Sequence, residues 1–240
     1  MASALAVNLL SSLLAFLLGA AAQKLYQRWK AITPARLVWR LGRPLDVVIA
    51  QADGPGHDTP LPTLYEGDAE AAITVSQFLK SVLGVPAPRI IRASNFSPPR
   101  DAHSDLVIIG GPNANDLYKE VAQRVSMPYE FTLYPDRADM IRTSDGHVFA
   151  QEVRKGKTER DFAVISFSPN PFDPARRMII LAGCGTLGCL AAARMVTSDG
   201  IREIARLQPL AAPLSIVIEI AVIDGQMTRP RIIDTCHWTS

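Results

Sequence analysis

The feature that most constrains this chain is an uncharged apolar segment close to its N-terminus. Residues 2–22, ASALAVNLLSSLLAFLLGAAA, contain no charged side chain, and their polar members are three serines and one asparagine. These 21 residues would rise roughly 31 Å as a helix, close to the hydrocarbon thickness of a bilayer. The composition therefore predicts one transmembrane helix over residues 1–23.

The segment after the apolar run is strongly basic. Residues 24–43 hold six lysine or arginine side chains and no acidic one, with Tyr26 and Trp29 at the level of a membrane interface. Positive flanks stay on the cytoplasmic side and attract anionic lipids. We expect a juxtamembrane segment over 24–43 and a cytoplasmic domain over 44–240, carried by the inner membrane with the N-terminus outside.

Two other interpretations of the apolar segment remain open. A cleaved signal peptide would carry positive charge before its apolar run, where only the α-amino group stands, although Ala20, Ala21 and Ala22 do resemble a cleavage site. A buried core helix is the other interpretation, and uniform apolarity over this length argues against it. The membrane anchor is the interpretation we favour.

Charge and cysteine content exclude other classes of protein. The chain has 25 basic and 23 acidic residues; without the six basic residues of the flank, 19 basic residues remain and the net charge is near −4. A mildly acidic domain is a poor binder of DNA or RNA, so we expect no direct nucleic-acid binding. Three cysteines are too few for a disulfide-stapled secreted module.

Apolar strands alternate with helical patterns through the rest of the chain. Strands are expected at 45–50, 89–93, 105–109, 162–167, 177–182, 215–223 and 231–235, and helices at 67–83, 113–125, 187–196 and 199–207. Short antiparallel strands are expected between 129 and 157, and a turn at Asp224-Gly225 joins the last two strands. This order predicts an α/β fold, a Rossmann-like and mostly parallel sheet with an antiparallel edge.

Glycine-rich or small polar loops follow three of the expected strands. Ligands of open α/β sheets bind beyond the carboxyl ends of the strands, so these loops are candidate binding sites. The first carries Asp53, and the second carries Gly110 and Gly111, which permit close approach of a ligand. Asn113 and Asn115 follow in the second loop; a helix N-cap role would explain one of them but not both.

The third loop matches the pattern G-x-G-x-x-G between a strand and a helix. Gly183, Gly185 and Thr186 would hold an anion with backbone N–H groups at the helix start. A dinucleotide is disfavoured, because no acidic residue stands at the end of the next strand at the right spacing, and 52 residues after Gly188 are too few. We therefore expect no NAD, FAD or other cofactor. We expect the loop to bind a phosphate or other anion, or to allow close packing of the helix on the strand.

Other chemistry has weaker support. Cys184, Cys189, Cys236 and His237 lack zinc-ligand spacing, and we expect no metal. An alternative function is cleavage of an N-glycosidic or phosphate bond of a nucleotide, for which Asp53, Asp68 and Glu70 are the candidate acids. The last two would also suit the positive end of a helix without any catalytic role.

Several short segments together carry a resemblance. They are Ile109 to Asn115, Asn170 to Pro174, Ile180 to Gly188 with three alanines at 191–193, and the late pair His237-Trp238. Over roughly residues 45–238 the chain resembles a loose group of uncharacterised bacterial membrane-anchored Rossmann-like sensor or effector proteins. The resemblance implies a Rossmann-like sensor domain and transfers no catalytic residue.

These features favour a sensor. We expect a single-pass protein whose cytoplasmic domain binds a small anionic, nucleotide-like ligand and couples it to oligomerisation at the membrane, more in keeping with binding than with turnover. Ala15, Gly19 and Ala22 share one helix face and would allow helices of a homo-oligomer to approach. The alternatives are the nucleotide-cleaving enzyme and a ligand-free membrane scaffold.

Overall fold

A computed structural model describes the chain over residues 2–42, 46–52, 65–133, 138–207 and 213–238. Within these ranges the strands are β1 (Val47–Gln51), β2 (Arg89–Arg92), β3 (Asp105–Ile109), β4 (Tyr129–Leu133), β5 (Ala138–Arg142), β6 (Val148–Phe149), β7 (Glu152–Arg154), β8 (Lys157–Asn170), β9 (Asp173–Gly183), β10 (Leu214–Ile223), β11 (Gln226–Met227) and β12 (Arg231–His237).

The helices are fewer and more varied in form. They are α1 (Ala2–Trp39), α2 (Glu66–Phe78), α3 (Pro98–Asp101), α4 (Asp116–Ala122), α5 (Thr186–Arg194) and α6 (Ile201–Leu207). Two of them continue into π-helical turns of five residues: α2 runs into Leu79–Leu83 and α5 runs into Met195–Asp199.

One large sheet organises the domain. Its strands lie in the order β11-β10-β8-β9-β3-β1-β2, with β12 also paired to β10 and β7 to β8. Strands β2, β1, β3 and β9 run parallel, and the β9–β8, β8–β10 and β10–β12 pairs are antiparallel. The expected α/β fold with a parallel sheet and an antiparallel edge is confirmed, and β8 and β10, with β12 beyond them, make that edge broader than expected.

Alternating side chains along the strands form a separate core on each face of the sheet. Val47, Ile49, Val107 and Ile109 pack with helices α1, α2, α5 and α6 on one face. The intervening residues of β1 and β3 pack on the other face with α4 and residues of a second, three-stranded sheet, β4-β5-β6. The short antiparallel strands expected between 129 and 157 thus cover this face together with α4.

Helix α1 joins this domain only through its last turns. Ala35, Val38 and Trp39 are buried in the core of the helical face. Upstream, residues 14–23 are exposed, among them Leu14 and Phe16, whose exposed fractions are 60% and 71%. No helix in the described part of the chain meets the combined length and apolarity needed to cross a bilayer.

Gly42, which follows α1, connects the end of this helix to the sheet. Its backbone N–H donates a 2.7 Å hydrogen bond to Oδ2 of Asp105, the first residue of β3. The N–H of Arg177 donates to Oδ1 of the same carboxylate at 2.8 Å, next to the β9 segment that pairs with β3. The helix therefore attaches at the amino edge of the parallel strands, opposite the edge where the predicted loops lie.

Candidate functional site

Two of the three predicted loops meet in one cavity at the carboxyl edge of the parallel strands. We call it the strand-edge cavity; its volume is about 310 Å³. The residues around it come from the start of α2, the loops after β3 and β9, strand β5 and the segment before β7: Tyr65, Asp68, Gly111, Asn113, Ala114, Ala138, Gln151, Gly183, Cys184, Gly185, Thr186 and Cys189.

Five of the eight predicted site residues line this cavity. They are Gly111, Asn113, Gly183, Gly185 and Thr186. The loop that carries Asp53 lies outside the described residues. The structure therefore brings the second and third loops together, as expected for loops that follow the adjacent strands β3 and β9.

Gly110 lies just beneath the cavity and shapes the backbone there. Its φ angle is +103°, in the region that favours glycine. A Cβ at this position would stand 2.5 Å from Cβ of Ala52 and 3.3 Å from Oδ2 of Asp68. The missing side chain therefore allows the loop to pass close to the Asp68 carboxylate.

The two asparagines of the second loop divide into one structural and one exposed residue. Asn115 is fully buried and caps α4: its Oδ1 accepts from Tyr118 N–H at 3.0 Å, while its Nδ2 donates to the carbonyls of Ile109 and Ala50. Its amide is used inside the fold and does not line the cavity. Asn113 is exposed and does line it.

The third loop has a negative group of its own at the helix start. Oδ1 of Asp161 accepts a hydrogen bond from Gly185 N–H at 3.0 Å, and Oδ2 accepts one from Gly188 N–H at 2.7 Å. Phe162 N–H donates a third, at 2.9 Å. Asp161 thus takes the position that a ligand phosphate would occupy at such a loop.

Burial has the largest effect on the pKa of Asp161. Its side chain is fully buried, and desolvation raises its pKa to about 6 although the three N–H groups and Gln151 oppose the shift. We had not identified this residue from the sequence. The available signal was an acidic residue directly before the mostly apolar run 162–167.

Asp68 is the charged group that faces the cavity. It lies in the first turn of α2, is 4% exposed, and its Oδ1 is buried without a hydrogen-bond partner among the described residues. Desolvation raises its pKa to about 6, and a hydrogen bond with Cys189 works in the opposite direction. A buried carboxylate oxygen without a partner is costly for the fold, which marks Asp68 as a functional candidate.

Cys189 links this carboxylate to the third loop. Its Sγ accepts a hydrogen bond from Gly183 N–H at 3.2 Å, and its thiol bonds with Asp68. Burial and the nearby negative charge raise the pKa of Cys189 well above its usual range, so the thiol stays protonated and donates. The third loop and α2 therefore meet at the buried Cys189 side chain.

The cavity is negative or neutral in character. Among its described lining residues there is no lysine or arginine, and Asp68 is the one carboxylate. Glu70, the other acid proposed from the α2 sequence, is exposed and does not line the cavity. Such a lining favours a ligand that donates hydrogen bonds and disfavours one that presents a phosphate to this surface.

No protein-family model matches the chain, and no curated protein is significantly similar to it. The resemblance to membrane-anchored Rossmann-like sensor proteins therefore stays a prediction, and function has to be argued from the geometry of the site.

Proposed function

We propose that this protein is a membrane-anchored sensor whose α/β domain binds a small nucleoside-like ligand in the strand-edge cavity. The observation that carries the proposal is the Asp68 carboxylate, buried at the cavity with one oxygen that has no hydrogen-bond partner in the part of the chain that the structure describes. Unpaired buried acceptors are rare in folded proteins, and a ligand that donates a hydrogen bond would remove the cost.

The nature of the ligand follows from the lining. At pH 7 a carboxyl group with a pKa of about 6 is mostly ionised, and it prefers an N–H or O–H donor to an anion. Bases and ribose offer such donors. Since Asp161 already occupies the N–H groups of Gly185 and Gly188, we place any phosphate of the ligand outside this loop. We expected an anionic, nucleotide-like ligand from the sequence, and we now propose that the cavity binds only the nucleoside part of such a ligand.

Two helices lead from the cavity to α1 and support a sensing role. Helix α2 starts beside Asp68, α5 starts at Thr186, and a Cβ on Gly67 would stand 2.5 Å from the Thr186 carbonyl oxygen. The two helix starts thus touch backbone to backbone. A displacement of one helix start by a ligand would be transmitted to the other.

The far ends of the same helices contact α1. The Trp39 ring lies 5.9 Å from the Phe78 ring at the end of α2. Its Nε1 donates a 3.0 Å hydrogen bond to the carbonyl of Val196, in the π-helical turn after α5. π-Helical turns are often found at functional positions because they hold an extra residue in the helix. We propose that Trp39, at the end of α1, receives any displacement of α2 and α5 that a ligand causes at the cavity.

Anchoring at the membrane completes the proposal and rests on the sequence of residues 2–22 and on the exposure of α1. Leu17 and Leu18 are exposed by 54% and 62% in addition to Leu14 and Phe16. Apolar side chains in a row on an exposed helix favour contact with lipid, with a second copy of the helix, or with both. Ligand-dependent association of α1 helices would be the output of the sensor.

The test is ligand binding by the full chain in lipid nanodiscs. We would measure thermal unfolding with adenosine, guanosine, cytidine and uridine and with their monophosphates. A ligand that binds only the native state raises the midpoint. We expect at least one nucleoside to do so, its monophosphate to do no better, and Asp68→Asn to abolish the effect. Asp116→Asn, an exposed acid on α4, is the matched control. If phosphate is required and Asp68→Asn binds normally, the proposal is wrong.

A companion measurement tests the coupling to α1. With Trp29 and Trp238 replaced by phenylalanine, Trp39 is the one remaining tryptophan. The nucleoside that stabilises the protein should change the emission of Trp39, and the Asp68→Asn variant should show no change. If the nucleoside binds but the emission of Trp39 does not change, the proposal that α2 and α5 couple the cavity to α1 is wrong.

An enzyme remains the second candidate, because a buried acid with a pKa near 6 beside a cavity suits general acid catalysis. Cleavage of an N-glycosidic bond usually employs two carboxyl groups, and here the second, Asp161, is engaged by three backbone N–H groups. Release of free base from a bound nucleoside, lost in Asp68→Asn while binding persists, would favour the enzyme.

A further inference from the structure

A second cavity lies away from the Asp68 site. It is a groove of about 680 Å³ between α4, the three-stranded sheet and the C-terminal end of β12, and we call it the aromatic groove. Pro112 lines it, whereas the flanking Gly111 and Asn113 line the strand-edge cavity. The two cavities are therefore on two sides of one loop. The volume is typical of small-molecule sites.

Aromatic side chains from three parts of the chain line the groove: Tyr118, Tyr129, Phe131 and Trp238. Their positions are fixed by contacts outside it. Tyr129 Oη donates to Asp234 Oδ2 at 2.9 Å, and Trp238 Nε1 donates to Ser215 Oγ at 3.0 Å. The Tyr118 and Phe131 rings meet edge to face at 5.8 Å. Phe131 and Trp238 are partly exposed, whereas the two tyrosine rings are buried. Fixed, partly exposed aromatic faces favour a flat ring system, which loses little entropy on stacking.

Tyr118 adds a polar group to this apolar lining. The residue is 3% exposed, and its hydroxyl makes no hydrogen bond with the described residues. Burial, together with the negative charge of Glu130, raises the pKa of Tyr118, so the hydroxyl stays protonated and is available as a donor. A ligand atom that accepts a hydrogen bond would complete its bonding.

Charges around the groove do not favour an ionic ligand. Lys119 Nζ lies 2.8 Å from Asp116, and the Arg124 guanidinium lies 2.9 Å from Glu120. Glu130 contributes a negative charge on the same rim. Because both cations are already paired and the signs are mixed, a neutral ligand meets the least electrostatic cost.

We propose that the aromatic groove is a second binding site, which takes a neutral, planar aromatic molecule that accepts a hydrogen bond from the Tyr118 hydroxyl. The site is separate from the strand-edge cavity and does not depend on what that cavity binds.

Cys236 offers a local readout, because its thiol is partly exposed and lines the groove, whereas Cys184 and Cys189 are buried. We would use the full chain in lipid nanodiscs and measure alkylation of Cys236 by N-ethylmaleimide with mass spectrometry. The probe is lumichrome, a neutral planar tricycle with carbonyl acceptors. At about ten times its Kd it should slow alkylation roughly tenfold, since only the free site reacts. Cyclohexanone, which has a carbonyl but no flat ring, should not.

Two tyrosine variants locate the effect. Tyr118→Phe removes only the hydroxyl and should raise the Kd of lumichrome about fivefold, the usual worth of one hydrogen bond. At the same probe concentration the slowing of alkylation should then fall from about tenfold to about threefold. Tyr65→Phe makes the same change in the strand-edge cavity and should leave protection unaltered. Circular dichroism would show that both variants are folded.

Four results would overturn the proposal. They are failure of lumichrome to protect Cys236 in folded wild-type protein, equal protection by cyclohexanone, equal weakening by the two tyrosine variants, and protection that rises with protein concentration when no probe is present. The last result would mean that a second copy of the chain occupies the groove.

Discussion

Asp161 and Asp68 lie at the same edge of the sheet and are both buried, but their hydrogen bonding is opposite. Asp161 accepts three backbone N–H groups, whereas one oxygen of Asp68 accepts no hydrogen bond from any described residue. The first carboxylate is bonded within the fold, and we propose that the second bonds a ligand. Because of this difference, we expect substitutions of the two residues to change stability in different ways.

Removal of the Asp161 carboxylate should destabilise the protein. Asp161→Ala leaves the N–H groups of Gly185 and Gly188 without their acceptor, which typically costs about 1–3 kcal/mol for each buried unsatisfied group. The same change should create an anion site at the start of α5. We expect sulfate to raise the unfolding midpoint of Asp161→Ala more than that of wild type, as measured by thermal unfolding at constant ionic strength.

The control for this experiment is Asp116→Ala on the surface of α4, which should change stability by no more than about 0.5 kcal/mol. An Asp161→Ala variant that is as stable as wild type would show that the third loop does not depend on the carboxylate. A sulfate effect equal in both proteins would show that no anion site had been created.

Ionisation of Asp68 should lower the free energy of unfolding as the pH rises. Its folded pKa, about 6, lies above the ordinary aspartate pKa of 3.8, so the native state holds the proton more tightly than the unfolded state. Stability from this group is fully present below about pH 4 and is lost as the pH rises through 6, by roughly 3 kcal/mol for two pKa units. Asp68→Asn should remove that dependence and be more stable than wild type at pH 7.5.

Urea unfolding of both proteins at pH 4.5, 6.0 and 7.5 measures the difference directly. Asp161 and Asp105, whose pKa values are also raised by burial, contribute equally to both proteins and cancel in the comparison. A difference between wild type and Asp68→Asn that stays constant over this range would contradict the assignment.

At the scale of elements, α2 and α5 form the central pair. They start at the two sides of the strand-edge cavity, touch at Gly67 and Thr186, and continue into π-helical turns against α1. The glycine at 67 is thus required by a close approach of two helices. A side chain there would separate them at the end where the ligand is proposed to bind.

Gly67→Ala should therefore be destabilising although alanine is the better helix former. The added Cβ would stand 2.5 Å from the carbonyl oxygen of Thr186, and overpacking of this kind costs about 1–3 kcal/mol. Gly19→Ala is the matched control, another helical glycine but one with open space around it. There the change should be neutral or stabilising by up to about 1 kcal/mol. Equal effects in chemical denaturation would contradict the close contact.

At the scale of the whole molecule, periodicity was sufficient to predict the sheet and most of its strands. Continuous apolar runs at β1, β3, β8, β9 and β10 are typical of buried strands, and their order with the helices defines an α/β fold. The three-stranded cover over the second face was anticipated only as short strands. Nothing in the spacing of β4, β5 and β6 says which face of the sheet they pack on.

The candidate site was predictable in part for a physical reason. Loops after adjacent parallel strands must meet at one edge, so the cavity beside Gly111 and Gly183 could be anticipated. The role of Asp161 could not, because it depends on antiparallel pairing of β8 with β9, which brings residue 161 to the loop after β9. Local patterns carry no information on such contacts across the sheet.

Truncation tests the proposed anchor. A variant without residues 2–22 should keep the stability of the domain, since Ala35, Val38 and Trp39 still fill its core, but should no longer float with liposomes in a density gradient. A variant without residues 2–39 should lose about 3–5 kcal/mol, as expected when a buried tryptophan is removed. Flotation of the first variant with liposomes would contradict the anchor.

The bond between Gly42 and Asp105 has a consequence for how a ligand reaches the protein. It holds α1 at the amino edge of the parallel strands, and the five residues of β3 then span about 17 Å to the opposite edge. If α1 lies in a bilayer as we propose, the Asp68 cavity lies at the edge of the sheet opposite the attachment of this helix. Ligand would arrive by three-dimensional diffusion through the aqueous phase, so its association rate would follow its bulk concentration and not its partition into lipid.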